Sequence, residues 1–419
     1  MRAHYTEIPG LGYRSPASPV GDTSMRSLLG FAALTLGLAL SLPACSRRAG
    51  PGGGPAGATS TPSASASATP PSNELVQTGA ALYLRYCELC HGKDATGYAA
   101  DNAPSLVTRT FLESADDAFI AKAIQVGRPS TAMGAYGKDR GGPLDNSAIG
   151  AIVAFLRARG PAVRPLPGGA AHGNATQGAA VYQAECASCH GTETERKTAL
   201  SLHNPELRAA ASPAFLRYAI TNGRAPTPMP AFSGKLSVAA IEDVVTFLVS
   251  GGTAAPPPSA APISPVPKNL PVVINPKGRP PVFTLRDERF VPAAEVKKAL
   301  DQRRRIVIVD ARTPADWVAY HIPGAISAPY YQAAELERIP NDGTWVIAYC
   351  ACPHHASGAV VDALRGKGYK HTAVLDEGIL VWKANGYPLE GESTEQRPSV
   401  PAPSPTSSAP KSKPTGTSR

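Results

Sequence analysis

The pentapeptide CELCH occupies residues 87–91 of this chain, and a second run of the same pattern, CASCH, occupies residues 186–190. In each run a histidine directly follows the second of two cysteines. Two thiols at this spacing can each bond one vinyl group of a single porphyrin, and the histidine can supply an axial nitrogen to its iron. The runs therefore predict two covalently bound haem c groups, with these attachment and iron-ligating residues: Cys87, Cys90, Cys186, Cys189, His91 and His190.

Each run on its own has other interpretations. A C-x-x-C pair can form half of a zinc site, but such a site takes four ligands and the run with its histidine supplies only three. A thioredoxin-like redox pair does not need a histidine after it. Because the histidine follows both pairs, and a methionine lies downstream of each, haem attachment is the favoured interpretation.

The two runs belong to an internal repeat. GAALY at residues 79–83 precedes the first run, and GAAVY at residues 178–182 precedes the second. Each copy closes with apolar residues at i, i+3, i+4 and i+7, from Ile149 to Leu156 and from Ile241 to Leu248. This spacing is typical of one helix face. The repeat predicts two similar units, each with a helix, the cysteine run, a loop, a helix, a methionine loop and a packing helix.

Methionine is the candidate sixth ligand of each iron. The chain has 4 methionines, and the two nearest the N-terminus lie in a predicted signal segment. The other two, Met133 and Met229, stand at matching positions, one in each repeat. Methionine more often fills gaps in a core, but the shared register favours axial ligation. His203 is an alternative ligand for the second haem, and His172 is a weaker one.

Residues 74–252 as a whole resemble two class I cytochrome c domains in tandem. The MPAF sequence at residues 229–232 matches the methionine loop of that family, whereas MGAY at residues 133–136 lacks its proline. The resemblance implies two all-α domains, over residues 74–160 and 174–252, that carry single electrons between a donor and an acceptor protein. Methionine ligation raises the potential of a haem relative to ligation by two histidines.

The N-terminal segment predicts export. An apolar run from Leu28 to Leu42 is shorter than the roughly 20 residues of a membrane span and fits a signal-peptide core. It leads into LPAC, which resembles a bacterial lipobox and implies acylation of Cys45 and a lipid anchor. An ordinary cleaved signal with an incidental cysteine is the alternative. We predict a signal peptide over residues 1–45, with Met25 as the true start, and a periplasmic location at a membrane, the outer membrane favoured because of Ser46.

Three segments are rich in proline and small polar residues, and we predict that they do not fold on their own. They are a flexible tether at 46–73, a linker at 253–280 and a disordered tail at 392–419. The formal net charge is +9, but the basic residues are scattered. The one tight basic cluster, Arg303–Arg305, directly precedes an apolar strand, so we predict no nucleic-acid partner.

Residues 281–391 carry a different pattern. Short apolar runs at 306–310, 345–349 and 373–375 alternate with helical stretches at 292–302 and 357–366. This alternation favours an α/β domain with a parallel sheet. The predicted fold class is therefore a multidomain chain, with two all-α domains followed by one α/β domain.

The motifs of this third domain resemble the rhodanese-like family. DAR at residues 310–312, HIPGA at 321–325 and GYP at 386–388 match its signatures. Cys350 directly follows a strand, where the family keeps its sulfur-accepting cysteine, and the N-terminus of the next helix would favour a thiolate or a persulfide. The family's C-x-x-G-x-R is replaced by CACPHHA at 350–356, which has one extra residue before the helix and lacks both the glycine and the anion-binding arginine. His354 and His355 are the candidate substitutes for that arginine.

Cys350 is thus the candidate catalytic cysteine, and Cys352 is a candidate resolving thiol. An inert loop in a structural domain is the alternative, and a metal site is a further one. Three functions stay open. The chain is an electron carrier linked to sulfur chemistry, or a sulfurtransferase or thiosulfate-linked oxidoreductase with the haems as acceptors of electrons from a small sulfur compound, or a carrier whose third domain is a docking module.

Overall fold

A computed structural model describes residues 71–193, 195–251, 263–351 and 354–393 of the chain. The predicted signal peptide with Cys45, almost all of the tether, the start of the second linker, Cys352 and nearly all of the tail lie outside the described residues. Within the described ranges, we find no helix with the length and hydropathy that a bilayer crossing requires.

The first repeat is helical, as predicted, and its first and last helices cross. It consists of α1 (Asn73–Tyr86), α2 (Glu88–His91), α3 (Arg109–Ser114), α4 (Asp117–Val126), a 3₁₀ turn (Lys138–Arg140) and α5 (Asn146–Arg157). At the crossing of α1 and α5, a Cβ on Gly79 would lie 1.9 Å from the carbonyl oxygen of Ala151. Only a glycine lets the two backbones approach this closely.

The second repeat has the same architecture. It consists of α6 (Ala175–Glu185), α7 (Ala187–His190), α8 (Pro205–Ala210), α9 (Pro213–Asn222) and α10 (Val238–Ser250). A Cβ on Gly178 would lie 2.0 Å from the carbonyl oxygen of Asp243 at the α6–α10 crossing. The single helix predicted before each methionine loop is preceded in the structure by a short one, α3 or α8. The side chains of Asp116 and Ser212 cap the N-termini of the longer helices α4 and α9, which therefore begin as separate helices.

The third domain is a parallel sheet with helices, again as predicted. Its elements are β1 (Phe290–Val291), α11 (Ala293–Asp301), β2 (Ile306–Asp310), α12 (Pro314–Ala319), β3 (Ile326–Ser327), a 3₁₀ helix (Ala333–Arg338), β4 (Trp345–Tyr349), α13 (His355–Gly366), β5 (Thr372–Leu375) and α14 (Gly378–Ala384). The strand order is β1-β5-β4-β2-β3, and each neighbouring pair is parallel. The central strands read as continuous apolar runs because both faces of the sheet are covered.

The DAR signature forms a buried ion pair in this domain. The Arg312 guanidinium donates to both carboxylate oxygens of Asp310, with Nη2 2.7 Å from Oδ2, and both residues are buried. Tyr349 Oη donates to Asp310 Oδ2 at 2.8 Å, and Arg312 Nη2 donates to the carbonyl of Tyr320 at 2.6 Å. The signature therefore joins β2, β4 and the end of α12, which makes it a structural feature of the fold.

Candidate haem and sulfur sites

The first cysteine run is placed by the end of α1. Cys87 is the C-cap residue of that helix, and Cys90 and His91 lie on the single turn of α2. His91 Nδ1 lies 2.9 Å from the carbonyl oxygen of Pro104. A carbonyl can only accept, so Nδ1 carries the proton and Nε2 keeps its lone pair for a metal. Burial lowers the pKa of His91, which keeps the ring neutral as a ligand must be.

The second run repeats this geometry. His190 Nδ1 lies 2.8 Å from the carbonyl oxygen of Leu200, and burial lowers the pKa of His190 too. Tyr182 Oη donates to the carbonyl of Gly191 at 2.9 Å. Tyr83 in the first repeat makes the equivalent bond after its own run. Each run is therefore held between a tyrosine of the preceding helix and a carbonyl of the following loop.

The thiols of both runs are available for haem attachment. Cys87, Cys90, Cys186 and Cys189 are free cysteines. Burial raises the pKa of Cys87 to about 12 and that of Cys186 to about 11, so both are protonated thiols at neutral pH. On haem attachment each thiol would add its sulfur and its hydrogen across one vinyl group, so a protonated thiol suits this chemistry. The described residues contain no group of three or more metal-binding side chains placed to hold a separate ion.

The two methionine loops share the same hydrogen bonds around the methionine despite the glycine-for-proline difference. The amide of Arg128 donates to the carbonyl of Met133 at 2.7 Å, and the amide of Arg224 donates to that of Met229 at 3.0 Å. Each methionine amide in turn donates to a threonine hydroxyl two residues before it. Both methionine side chains are half-buried. The structure thus places the two predicted ligands at equivalent points of equivalent loops.

The two alternative histidine ligands differ in their surroundings. His203 packs edge-on against Tyr182 and Phe247, with ring centroids 5.2 and 6.1 Å away, at the crossing of α6 and α10. Its Nδ1 is 2.9 Å from Nη2 of Arg208, which donates. His172 is exposed. His203 Nε2 is buried and has no hydrogen-bond partner among the described residues. The matching register of Met133 and Met229, and not the placement of His203, therefore favours Met229 as the second ligand of this site.

Two arginines show that the sites fit a haem. Arg128 and Arg224 each open a methionine loop and lie over aromatic rings, 5.9 Å from Phe119 and 5.2 Å from Phe215. Burial lowers the pKa of Arg224 to about 10 and also lowers that of Arg128. Within the described ranges, their side-chain bonds go to the Gly127 carbonyl and a serine hydroxyl and not to a carboxylate. Both side chains are half-buried, and the charge of Glu206 already acts on Arg128. The propionates of a bound haem c are of the right chemistry to be a further anionic partner. The repeated Gly-Arg pair was the sequence signal for these residues, but the sequence analysis assigned them no role.

The two repeats contact each other beside their methionine loops. Thr110 Oγ1 of the first repeat donates to the carbonyl of Gly223 at 2.7 Å. Asn204 Nδ2 of the second donates to the carbonyl of Pro129 at 3.0 Å. Each bond joins the start of one repeat's short helix to the entrance of the other's methionine loop. The two candidate haem sites therefore adjoin one another.

The predicted sulfur site lies at the end of β4. Cys350 is only 2% exposed, and its Sγ lies 3.2 Å from Oγ of Ser357 in the first turn of α13. His354 precedes that helix with a φ of +84°. Its ring is 4.1 Å from the ring of Phe290, and its Nε2 is 2.8 Å from Oδ1 of Asp376. His354 is thus held against other groups on the β1–β5 side, and it does not take the place of the arginine that the loop lacks.

Comparisons with known proteins agree with this division of the chain. The family described as cytochrome c oxidase, cbb3-type, subunit III matches residues 74–156 and 173–248, and the rhodanese-like domain family matches residues 292–385. A cbb3-type cytochrome c oxidase subunit CcoP from an Azospirillum species is 31% identical over 41% of this chain and 60% of that protein. The chain thus spans less than two thirds of the length of this relative.

The third domain has relatives of its own. A probable adenylyltransferase/sulfurtransferase of Mycobacterium tuberculosis is 30% identical over 21% of this chain and 23% of that protein. The solution structure of a rhodanese-like domain from Anabaena is 24% identical, covers 30% of this chain and 96% of that domain, and has a TM-score of 0.24.

Proposed function

We propose that this chain, which carries two tandem cytochrome c domains followed by a rhodanese-like domain, is an exported dihaem carrier of single electrons. The duplicated proximal histidine carries the proposal, because both His91 and His190 bind a loop carbonyl through Nδ1 and leave Nε2 for iron. A bound haem c supplies a one-electron couple. Attachment of haem outside the bacterial cytoplasm, implied by the family, supports a periplasmic lipoprotein anchored through Cys45, with a donor and an acceptor protein as its redox partners.

The residues of the chain provide the rest of the carrier. The loop carbonyls orient the proximal histidines, and the tyrosine hydroxyls hold the backbone directly after them. In a bound haem, Met133 and Met229 would supply the second ligands, and Arg128 and Arg224 would offer charge to the propionates. The hydrogen bonds between the repeats hold the two sites side by side. This supports passage of an electron from one domain to the other within one molecule.

Visible spectroscopy of the exported, full-length protein tests this function. We expect two haems per chain and a sulfur-to-iron charge-transfer band that Met133→Ala and Met229→Ala each reduce by about half, with nothing left in the double variant. His203→Ala is the matched control and should leave the band unchanged. A colourless protein, or loss of the band in His203→Ala alone, would refute the assignment.

A second candidate function is sulfur transfer at Cys350, favoured by its position over the first turn of α13. The thiolate would attack the outer sulfur of a donor. With thiosulfate, the sulfur–sulfur bond of the donor breaks, sulfite leaves with the electron pair, and Cys350 becomes a persulfide. No net oxidation occurs, so this step by itself delivers no electrons to the haems.

Mass spectrometry after treatment with thiosulfate or polysulfide tests this candidate. We expect one added sulfur atom, lost in Cys350→Ser and kept in Cys352→Ser if Cys350 is the acceptor. Haem reduction by a sulfur donor that disappears in Cys350→Ser would extend the function to a sulfur-linked oxidoreductase. If no donor adds sulfur to Cys350, the domain is a docking module.

A further inference from the structure

A cavity of about 30 Å³ lies between the first cytochrome c domain and the rhodanese-like domain. Leu89 and Cys90 of the first haem run line one side, together with Gly134 of the first methionine loop. Cys350 lines the other side, beside Ala351. The candidate sulfur acceptor and a thiol that would bond the first haem therefore face the same small space.

A cluster of four tyrosines holds the two domains together around this cavity. Tyr330 Oη of the rhodanese-like domain donates to the carbonyl of Tyr86 at 2.7 Å and lies 3.1 Å from Oη of Tyr136. The ring of Tyr331 packs against the rings of Tyr86 and Tyr136, with centroids 5.2 and 6.0 Å away. Tyr331 is only 8% exposed. Aromatic pairs of this kind stabilise a contact beyond the area that they bury.

The second repeat provides an internal comparison for this surface. Cys189 and Pro230 are the equivalents of Cys90 and Gly134, and both are exposed. In the first repeat Cys90 is half-buried and Gly134 is buried. A Cβ on Gly134 would lie 2.5 Å from Cγ2 of Thr313 in the rhodanese-like domain. The rhodanese-like domain thus covers the surface around Cys90 and Gly134 of the first repeat. The equivalent surface of the second repeat, around Cys189 and Pro230, is exposed.

We propose that the rhodanese-like domain is a cap on the haem edge of the first cytochrome c domain, with Cys350 enclosed in the shared cavity. The cavity has room for about one or two water-sized atoms. It fits the outer sulfur of a persulfide on Cys350 but not a whole thiosulfate ion. A larger sulfur donor therefore reaches Cys350 only when the cap opens. The inference rests on the proposed function, since it takes the two runs to be haem sites.

The rate of Cys350 alkylation tests the cap. In full-length haem-loaded protein with Cys352→Ser, intact mass spectrometry follows the reaction of Cys350 with iodoacetamide. We expect the combined variant Tyr330→Ala/Tyr331→Ala to react at least tenfold faster, because access is set by how often the cap opens. The matched control is Tyr369→Ala, which removes a half-buried tyrosine of the same domain whose hydroxyl bonds the Ile339 carbonyl. Equal rates in the parent and the combined variant, or equal acceleration in the control, would overturn the proposal.

Hydrogen exchange provides a readout on the cytochrome side. The combined variant should lose amide protection over residues 132–136 and not over the equivalent residues 228–232, where Pro230 is exposed and Gly134, its counterpart in the first loop, is buried. Equal changes in both loops would contradict the cap. Haem content and the sulfur-to-iron band, measured on the same samples, separate the two hypotheses. A parent protein without haem or without the sulfur-to-iron band refutes the carrier function. A parent with a normal spectrum, whose combined tyrosine variant reacts and exchanges like the parent, refutes only the cap.

Discussion

Adding one methyl group at the α1–α5 crossing should destabilise the first cytochrome c domain. In Gly79→Ala the new Cβ would lie 1.9 Å from the Ala151 carbonyl oxygen and 2.9 Å from the Cβ of Phe155, whereas ordinary contacts begin at 3.4 Å. The helices must therefore separate by about 1.5 Å, and overpacking of this kind costs about 1–3 kcal/mol. Alanine in a helix offsets up to about 1 kcal/mol of that cost. We expect a net loss of about 0–2 kcal/mol in the free energy of unfolding.

Gly150→Ala is the matched control in the same helix pair. Gly150 is exposed on α5, and a Cβ there would meet nothing within 4 Å. Only the helix propensity changes, so this variant should gain about 0.5–1 kcal/mol. Denaturant unfolding of the haem-loaded chain, followed through the Soret band, measures both. Because Cys87 caps the C-terminus of α1, separation of the helices should also disturb the haem environment. Equal stability of the two variants would show that α1 and α5 do not cross at Gly79.

The rhodanese-like domain allows three further predictions. Arg312→Ala should cost about 3–5 kcal/mol in chemical denaturation, because it leaves the Asp310 carboxylate buried and unpaired; a cost below 1 kcal/mol would contradict the ion pair. Burial raises the pKa of Asp316, so the folded state holds this proton more tightly and its stability falls as pH rises above the ordinary carboxyl value of about 4. Asp316→Asn should therefore melt at a higher temperature than the parent at pH 7 and at the same temperature below about pH 4. Gly378 has a φ of +68°, and its Cβ would lie 2.8 Å from the Cys350 carbonyl, so Gly378→Ala should cost at least about 1 kcal/mol and change the rate at which Cys350 takes up sulfur.

Much of the architecture could be predicted because its signals are local. The order of two helical domains and one α/β domain is confirmed, and so are the three long strands. A short, continuous apolar run is typical of a strand that is buried on both faces of a sheet. Strands β1 and β3 have two residues each, too few to show a period, and neither was predicted. The short helices α3 and α8 were missed for the same reason.

The sulfur site shows where motif reasoning stops. The position of Cys350 after a strand was correct, because strand and helix propensities bracket it. The role of His354 could not be settled from sequence, since its partners Phe290 and Asp376 are distant in the chain and carry no motif. The roles of the two loop arginines are likewise visible only when burial and neighbouring rings are known.

The contact between the domains explains a departure that the sequence shows but cannot interpret. The repeats differ at three positions around the haem edge, where Tyr86, Gly134 and Tyr136 replace Glu185, Pro230 and Phe232. In the structure all three lie against the rhodanese-like domain. The first ring packs on Tyr331, the glycine leaves room for Thr313, and the hydroxyl of Tyr136 meets Tyr330. A proline side chain at position 134 would overlap with Thr313, whereas Pro230 is exposed. The first methionine loop therefore departs from the family pattern at the point where it contacts the rhodanese-like domain instead of solvent. The two repeats differ at these three positions because only the first packs against that domain.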